Sequence, residues 1–514
     1  MDAQKPAEGT VHDLLGARDD APAIGAPGRR ATTFAELRLL GDRTVQSLNA
    51  LGIGRNDRVA IVLPNGPAMA AAFLSIAAGA TTAPLNPSYR AEEYDFYLGD
   101  LDAKALVVER GSESPAIAVA ARRGVPVVEL VEDEAAGAFH LEATGPVAGA
   151  ARAPGRARPE DVALVLHTSG TTSRPKIVPL THGNVCASAR HIGATLALQP
   201  DDVCLNVMPL FHIHGLVAAV LSSLTAGGSV VCTPGFNALK FFGWLDEAKP
   251  TWYTAVPTMH QAILARADRN EDAISRARLR LVRSSSASLP PQVMTALEAA
   301  FGAPVIESYG MTEAAHQMTS NPLPPRPRKP GSVGVAAGPE VAIMSEEGAL
   351  LPAGEAGEVV IRGPNVTAGY EANPEANAKA FARGWFRTGD QGVLDEEGYL
   401  RITGRLKELI NRGGEKVSPL EVDEVLMDHP AVAQVVTFAM PHEKLGEEVA
   451  AAVVLRENAS LSEPELRDFA RARLADFKVP RRVIFLDEIP KGATGKLQRI
   501  GLADKLGLTQ KAAE

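Results

Sequence analysis

The chain has 514 residues, 46% of them hydrophobic and 22% charged, with a formal net charge of −9 at neutral pH. That length exceeds what one hydrophobic core usually supports, so at least two domains are expected. The acidic balance argues against a nucleic-acid binder, and three widely spaced cysteines (Cys186, Cys204, Cys232) argue against a disulfide framework or a structural zinc site. Burial as free thiols in a reducing compartment is the plain reading of these residues.

In chain order, Met1 to Gly9 lacks the cationic start and apolar stretch of a secretory signal. Thr33 and Glu36 form a capping-box pattern that opens an amphipathic helix carrying Leu37, Leu40, Val45 and Leu48 and stopping near Gly52. Arg58 to Leu63 reads as a buried strand closed by Pro64-Asn65-Gly66. Ala68 to Leu85 is long and apolar, but it is Ala-rich and broken by Gly79 and Pro84; it predicts a core helix and a turn rather than a membrane span. Ala105 to Val108 is strand-like again, and this alternation suggests stacked α/β layers around mostly parallel sheets. Gly145 to Arg158 reads as a connecting segment and Pro322 to Pro330 as a second loop. From residue 331 the texture changes to short runs between glycines, such as Glu358–Arg362 and Gly398–Thr403, which predict a small antiparallel β unit. The last hundred or so residues read as compact α+β: Ser462 and Glu465 cap a helix carrying Leu466, Phe469 and Leu474, and Val483 to Leu486 is a strand. The final residues, Lys-Ala-Ala-Glu514, do not form a peroxisomal tripeptide, and the cytoplasm is the expected location.

The most informative segment is Leu164-Val-Leu-His-Thr-Ser-Gly-Thr-Thr-Ser-Arg-Pro-Lys176. An apolar strand feeds a loop dense in hydroxyls (Thr168, Ser169, Thr171, Thr172), with Gly170 for backbone freedom and Arg174 and Lys176 to balance polyphosphate charge. It is not a common P-loop, because Gly-x-x-x-x-Gly-Lys-[Ser/Thr] is absent. It resembles the signature loop of the adenylate-forming enzymes, which include acyl-CoA synthetases, luciferases and peptide-synthetase adenylation domains.

Five further motifs follow in the order that family requires, so the resemblance covers nearly the whole chain. Pro209-Leu-Phe-His212-Ile-His214-Gly215 resembles the segment that gates the carboxylate pocket. Ser308-Tyr309-Gly310-Met311-Thr312-Glu313 resembles the nucleotide motif, which implies Tyr309 near adenine, Thr312 at the α-phosphate and Glu313 on Mg²⁺. Trp385 to Asp390 implies that Asp390 accepts the ribose hydroxyls. Gly404 to Ile410 implies that Arg405 contacts the nucleotide and that Lys407 is an interdomain hinge, with Gly413 and Gly414 bordering the pantetheine channel. Pro490 to Lys496 carries the lysine the family uses for adenylation. The implied domains are residues 1–404, with a β-barrel-like unit at 331–404, and a mobile α+β domain at 405–514. The implied co-substrates are ATP and CoA with Mg²⁺; no nucleic acid or membrane is implied, and the oligomeric state is open.

The resemblance also implies a mechanism. A carboxylate is repelled by the phosphates it must attack, so Lys496 would bridge it to the α-phosphate, and a thiol would then attack the acyl-adenylate after rotation about Lys407. The acid is read from departures. Where many relatives have a Gly-rich turn, this chain reads Arg283-Ser-Ser-Ser286-Ala-Ser-Leu289, and His316 follows Glu313 closely. Serines with His214 and His316 suggest a small anionic acid, and these segments resemble the oxalate–CoA ligases. Ser286 and His316 would bind the second carboxylate, with His214 beside the reacting one and protonated histidine adding charge compensation. Malonate or another short diacid is the alternative, served by Arg283 if its side chain points inward; a medium-chain or aryl acid comes after. Carrier-protein loading, a luciferase-type oxygenase and a catalytically dead nucleotide sensor are further alternatives.

Overall fold

The computed structural model describes residues 9–144, 149–168, 175–490 and 497–508. Two large sheets carry most of the chain up to residue 336. One has seven strands in the spatial order Phe139–Ala143, Val127–Glu132, Ala105–Glu109, Arg58–Val62, Thr81–Pro84, Val162–His167, Ile177–Thr181. The other has nine, and its centre runs Val305–Met311, Leu281–Ser284, Trp252–Ala255, Val203–Asn206, Ser229–Cys232. Interior neighbours pair in parallel and the edges antiparallel, so the inner strands are covered on both faces and read as continuous apolar runs. The largest core cluster, running from Val11 to Phe386, takes in the helices Phe34–Ala50, Pro67–Ala77 and His182–Thr195, and two further clusters, around Tyr253 and around Tyr94, cover other parts of the sheets.

The helix at Phe34–Ala50 opens on the expected reciprocal cap: Thr33 accepts from the Glu36 N–H, and Glu36 accepts from the Thr33 N–H. Its stripe of Leu37, Leu40, Val45 and Leu48 is buried. The run from Ala68 differs from expectation. A helix ends at Ala77, and Thr81–Pro84 then forms a fully buried parallel strand where a turn was read. Among the described residues no helix is long and apolar enough to cross a membrane. Cys186, Cys204 and Cys232 are buried free thiols.

A five-stranded antiparallel sheet follows, built on Glu340–Met344, Ala356–Arg362, Trp385–Leu394 and Leu400–Arg405 with the short Phe381–Ala382. The last sheet contains Ile410–Arg412, Glu415–Val417, Val432–His442, Gly446–Leu455 and Arg482–Phe485, and it has its own core around Ile410, Val422, Leu426, Val449 and Leu466. Ser462 caps the helix Glu463–Arg471 as expected, but Leu474 lies beyond the helix end and packs from the following turn.

Candidate active site

The phosphate-loop segment lies between two antiparallel strands, Val162–His167 and Ile177–Thr181. Thr168 and Lys176 close its neck: the Thr168 N–H donates to the Lys176 carbonyl at 3.0 Å, and the Lys176 N–H donates to Thr168 Oγ1 at 3.2 Å. Ser169, Gly170, Thr171 and Thr172 lie outside the described residues, as does Lys496. Lys176 Nζ stands 4.3 Å from the centre of the Tyr370 ring, and the Tyr370 hydroxyl donates to Glu313 Oε1 at 2.7 Å. Burial lowers the Lys176 pKa, the like charge of Lys407 lowers it further, and Glu313 opposes both. Burial raises the pKa of Glu313, against the pull of the Tyr370 hydroxyl and Lys176. Lys176 and Arg405 both act on the buried Glu313 carboxylate, so the positive charge here exceeds the negative, a balance that suits polyphosphate. Among the described residues no group of three or more His, Cys, Asp and Glu could hold a metal ion. The Glu313 carboxylate is a side chain that could hold a magnesium ion together with substrate phosphates, a ligand set that suits magnesium.

The nucleotide motif is a hairpin. Val305–Met311 runs out, Thr312–Ala314 makes a tight turn, and His316–Ser320 returns antiparallel. Gly310 is required by that return: a Cβ on it would lie 1.8 Å from the His316 carbonyl oxygen. The Tyr309 hydroxyl donates to Asp390, and Arg405 Nε pairs with the same carboxylate at 3.0 Å across adjacent strands. Tyr309, Asp390 and Arg405 thus meet although they come from separate parts of the sequence. Thr312 follows directly on this strand, and the carbonyl of Glu313 accepts from the Thr367 N–H at 2.8 Å. Ser308 and Met311 lie on the same strand, paired with Ser320 and His316. Gly413 and Gly414, with φ of 61° and 101°, form the two-residue turn between Ile410–Arg412 and Glu415–Val417, a conformation that favours glycine at both positions.

The acid-pocket candidates also converge. His214 opens a π-helical turn, His214–Leu221, a rare local geometry often found at functional sites. The chain can turn there because Gly215 has no side chain; a Cβ would lie 2.4 Å from the Pro209 carbonyl oxygen. His214 is fully buried, with Nδ1 3.0 Å from Ser286 Oγ and Nε2 2.6 Å from Thr254 Oγ1. The His316 ring lies 5.0 Å from it, tilted by 58°. Ser286 and His316 both adopt positive φ, 75° and 103°, a strained backbone that concentrates at sites where side-chain direction matters. Arg283 points inward from the neighbouring strand and is fully buried.

Thr254, Tyr370 and Gln317 belong to these clusters and carry no motif of their own. Thr254 is one position in a buried strand, and Tyr370 follows a Thr-Ala-Gly turn. Only the fold brings them to His214, Glu313 and Arg283.

Comparison with known proteins places the chain in a family. Residues 15–371 match the AMP-binding enzyme family, and residues 421–496 match the AMP-binding enzyme C-terminal domain. An oxalate–CoA ligase of Arabidopsis thaliana is 46% identical over 488 residues, covering 93% of this chain and 94% of its own length. An oxalate–CoA ligase of Saccharomyces cerevisiae is 43% identical, covering 88% of this chain and 87% of its own. The crystal structure of ATP-bound MatB from Rhodopseudomonas palustris superposes with a TM-score of 0.85 at 32% identity, covering 95% of this chain and 96% of that one. With these matches the chain belongs to the AMP-binding enzyme family.

Proposed function

We propose that the chain is an ATP-dependent oxalate–CoA ligase. One carboxylate of oxalate attacks the α-phosphorus of ATP, the bond to pyrophosphate breaks, and the CoA thiolate then displaces AMP from the acyl-adenylate. The observation that carries the choice of acid is the cluster of buried His214 and His316 with half-buried Ser286, drawn from three segments into hydrogen-bonding or ring contact. Such a wall offers donors to a carboxylate and little apolar surface to a fatty or aromatic acid. The two oxalate–CoA ligases similar to this chain support the same acid.

In this reading Lys176 and the hydroxyls of Thr168, Ser169, Thr171 and Thr172, with the Gly170 backbone, hold the β- and γ-phosphates. Thr312 donates to the α-phosphate, Tyr309 and its strand neighbours Ser308, Gly310 and Met311 line the adenine and phosphate side, and Asp390 with Arg405 holds the ribose. Lys496 bridges the attacking carboxylate and the α-phosphate, cancelling their repulsion. Glu313 would hold Mg²⁺, which supplies positive charge to the departing pyrophosphate. Residues 1–404 form the AMP-binding domain, with its β-rich part at 331–404, and residues 405–514 turn about Lys407 between the half-reactions. Gly413 and Gly414 then border the thiol's path. A cytoplasmic setting, where ATP and CoA are both present, belongs to the same proposal.

The test is ATP–pyrophosphate exchange with oxalate and no CoA. Exchange that appears only with oxalate or a comparable small acid supports adenylation as the first step. No exchange with any acid would leave a nucleotide-binding protein without ligase activity.

A further inference from the structure

Arg283 is fully buried, yet no carboxylate pairs with it among the described residues. Its Nη1 reaches Thr254 Oγ1 at 3.5 Å and its Nη2 reaches Gln317 Oε1 at 3.3 Å, while its Nε has no hydrogen-bond partner. Burial pushes its pKa down to about 9, which leaves it cationic at neutral pH. Arginine can accept no hydrogen bond, so every contact it makes is as a donor. A buried cation without a counter-charge is costly, and proteins retain one where a ligand brings the opposite charge.

The hydrogens of this cluster can be assigned by accounting. Thr254 lies opposite Arg283 on the adjacent strand, is fully buried, and its hydroxyl meets Arg283 and His214. Its oxygen accepts from Arg283, so its own hydrogen needs an acceptor, and His214 Nε2 at 2.6 Å is the one available. His214 therefore carries its proton on Nδ1 and donates to Ser286 Oγ at 3.0 Å. The Ser286 hydroxyl hydrogen is then left to donate to an acceptor outside the chain of bonds. On the other side, the Gln317 amide nitrogen donates to Thr195 Oγ1 and to the Ala337 carbonyl, both at 3.1 Å, which fixes its oxygen toward Arg283. One arm of the guanidinium therefore leads through Thr254 to His214, and the other is anchored by Gln317.

We propose that Arg283 is a positioning residue that sets acid specificity: through Thr254 and His214 it turns the Ser286 hydroxyl, and with it the buried positive charge, toward the second carboxylate of a short dianionic acid. This rests on the acid–CoA ligase reading above. It replaces protonated histidine as the source of charge compensation, because both nitrogens of His214 already face hydroxyls and a cation stands one residue away.

The experiment compares Arg283→Met with wild-type protein in CoA-dependent AMP release, using oxalate and glyoxylate, its near-isosteric monoanion, together with a urea midpoint. The kcat/KM for oxalate is expected to fall by about 100-fold and that for glyoxylate by no more than about threefold. The midpoint is expected to hold or rise, since replacing an unpaired buried charge by an apolar chain removes a desolvation cost. Equal losses for the two acids, or an unchanged preference for oxalate, overturns the proposal. Should Arg283→Met fail to fold, Thr254→Val keeps the cation and the volume but cuts the relay. It is then expected to lower the oxalate-to-glyoxylate ratio about tenfold, and an unchanged ratio overturns the proposal. A wild-type enzyme that prefers glyoxylate overturns the oxalate reading itself, whereas a wild-type preference that both variants retain overturns only the role of Arg283.

Discussion

Glu307 offers a prediction with a definite sign. It lies on the nucleotide strand next to Ser308, is 2% exposed, and accepts from the Leu289 N–H at 2.8 Å, which ties the serine turn to that strand. Burial pushes its pKa from the ordinary 4.5 up to about 8. Between those values the folded chain holds a proton that the unfolded chain has lost, so folding stability declines as pH rises. Each pH unit removes about 1.4 kcal/mol, and the full interval of 3.5 units, 8 minus 4.5, comes to about 5 kcal/mol as an upper bound. From about pH 5.5 to about pH 7.5 the loss from this one group is about 3 kcal/mol. Glu307→Gln removes the titration while keeping an oxygen for the Leu289 N–H. Urea unfolding followed by tryptophan fluorescence suits the assay, because Trp244, Trp252 and Trp385 all precede residue 400. The variant is expected to lose the downward slope over this range, whatever its absolute stability. Parallel pH dependence in the two proteins would refute the protonated state of Glu307.

Tyr370→Phe removes the hydroxyl that donates to Glu313 but keeps the ring beneath Lys176. A hydrogen bond to a charged group contributes about 1.5–3 kcal/mol, so pyrophosphate exchange should slow by roughly 10–100-fold near neutral pH and recover partly at higher pH, where Glu313 ionises again; an unchanged pH–rate profile would exclude the contact from function. Gly310→Ala forces a Cβ to within 1.8 Å of the His316 carbonyl, and both nucleotide affinity and the thermal midpoint should drop; an active, equally stable variant would show that the hairpin return is wrongly drawn. Lys496→Ala should abolish adenylation yet spare CoA attack on supplied acyl-adenylate, and equal loss of both half-reactions would contradict the division of labour assigned to the two domains.

What could be read before the fold was known was what local chemistry encodes. The Thr33/Glu36 and Ser462/Glu465 caps are decided within four residues, and both form as read. The residues proposed to bind the nucleotide could be singled out because each sits in a dense local motif. The strand Thr81–Pro84 was hidden because, covered on both faces, it lacks the alternation that marks a half-exposed strand. The same cause conceals the direction of Arg283: all four residues of Leu281–Ser284 are buried, so periodicity could not say which face the arginine takes. Thr254 and Tyr370 were invisible for another reason. Their roles come from partners 40 and 57 positions away in sequence, and no short pattern records that distance.

The central claim is best tested by kcat/KM for CoA-dependent AMP release across oxalate, malonate, acetate, octanoate and 4-coumarate. The account predicts that oxalate leads by about two orders of magnitude, equivalent to about 2.7 kcal/mol of transition-state discrimination. A lead for octanoate or 4-coumarate would contradict the reading of His214, Ser286 and His316 as an acid pocket.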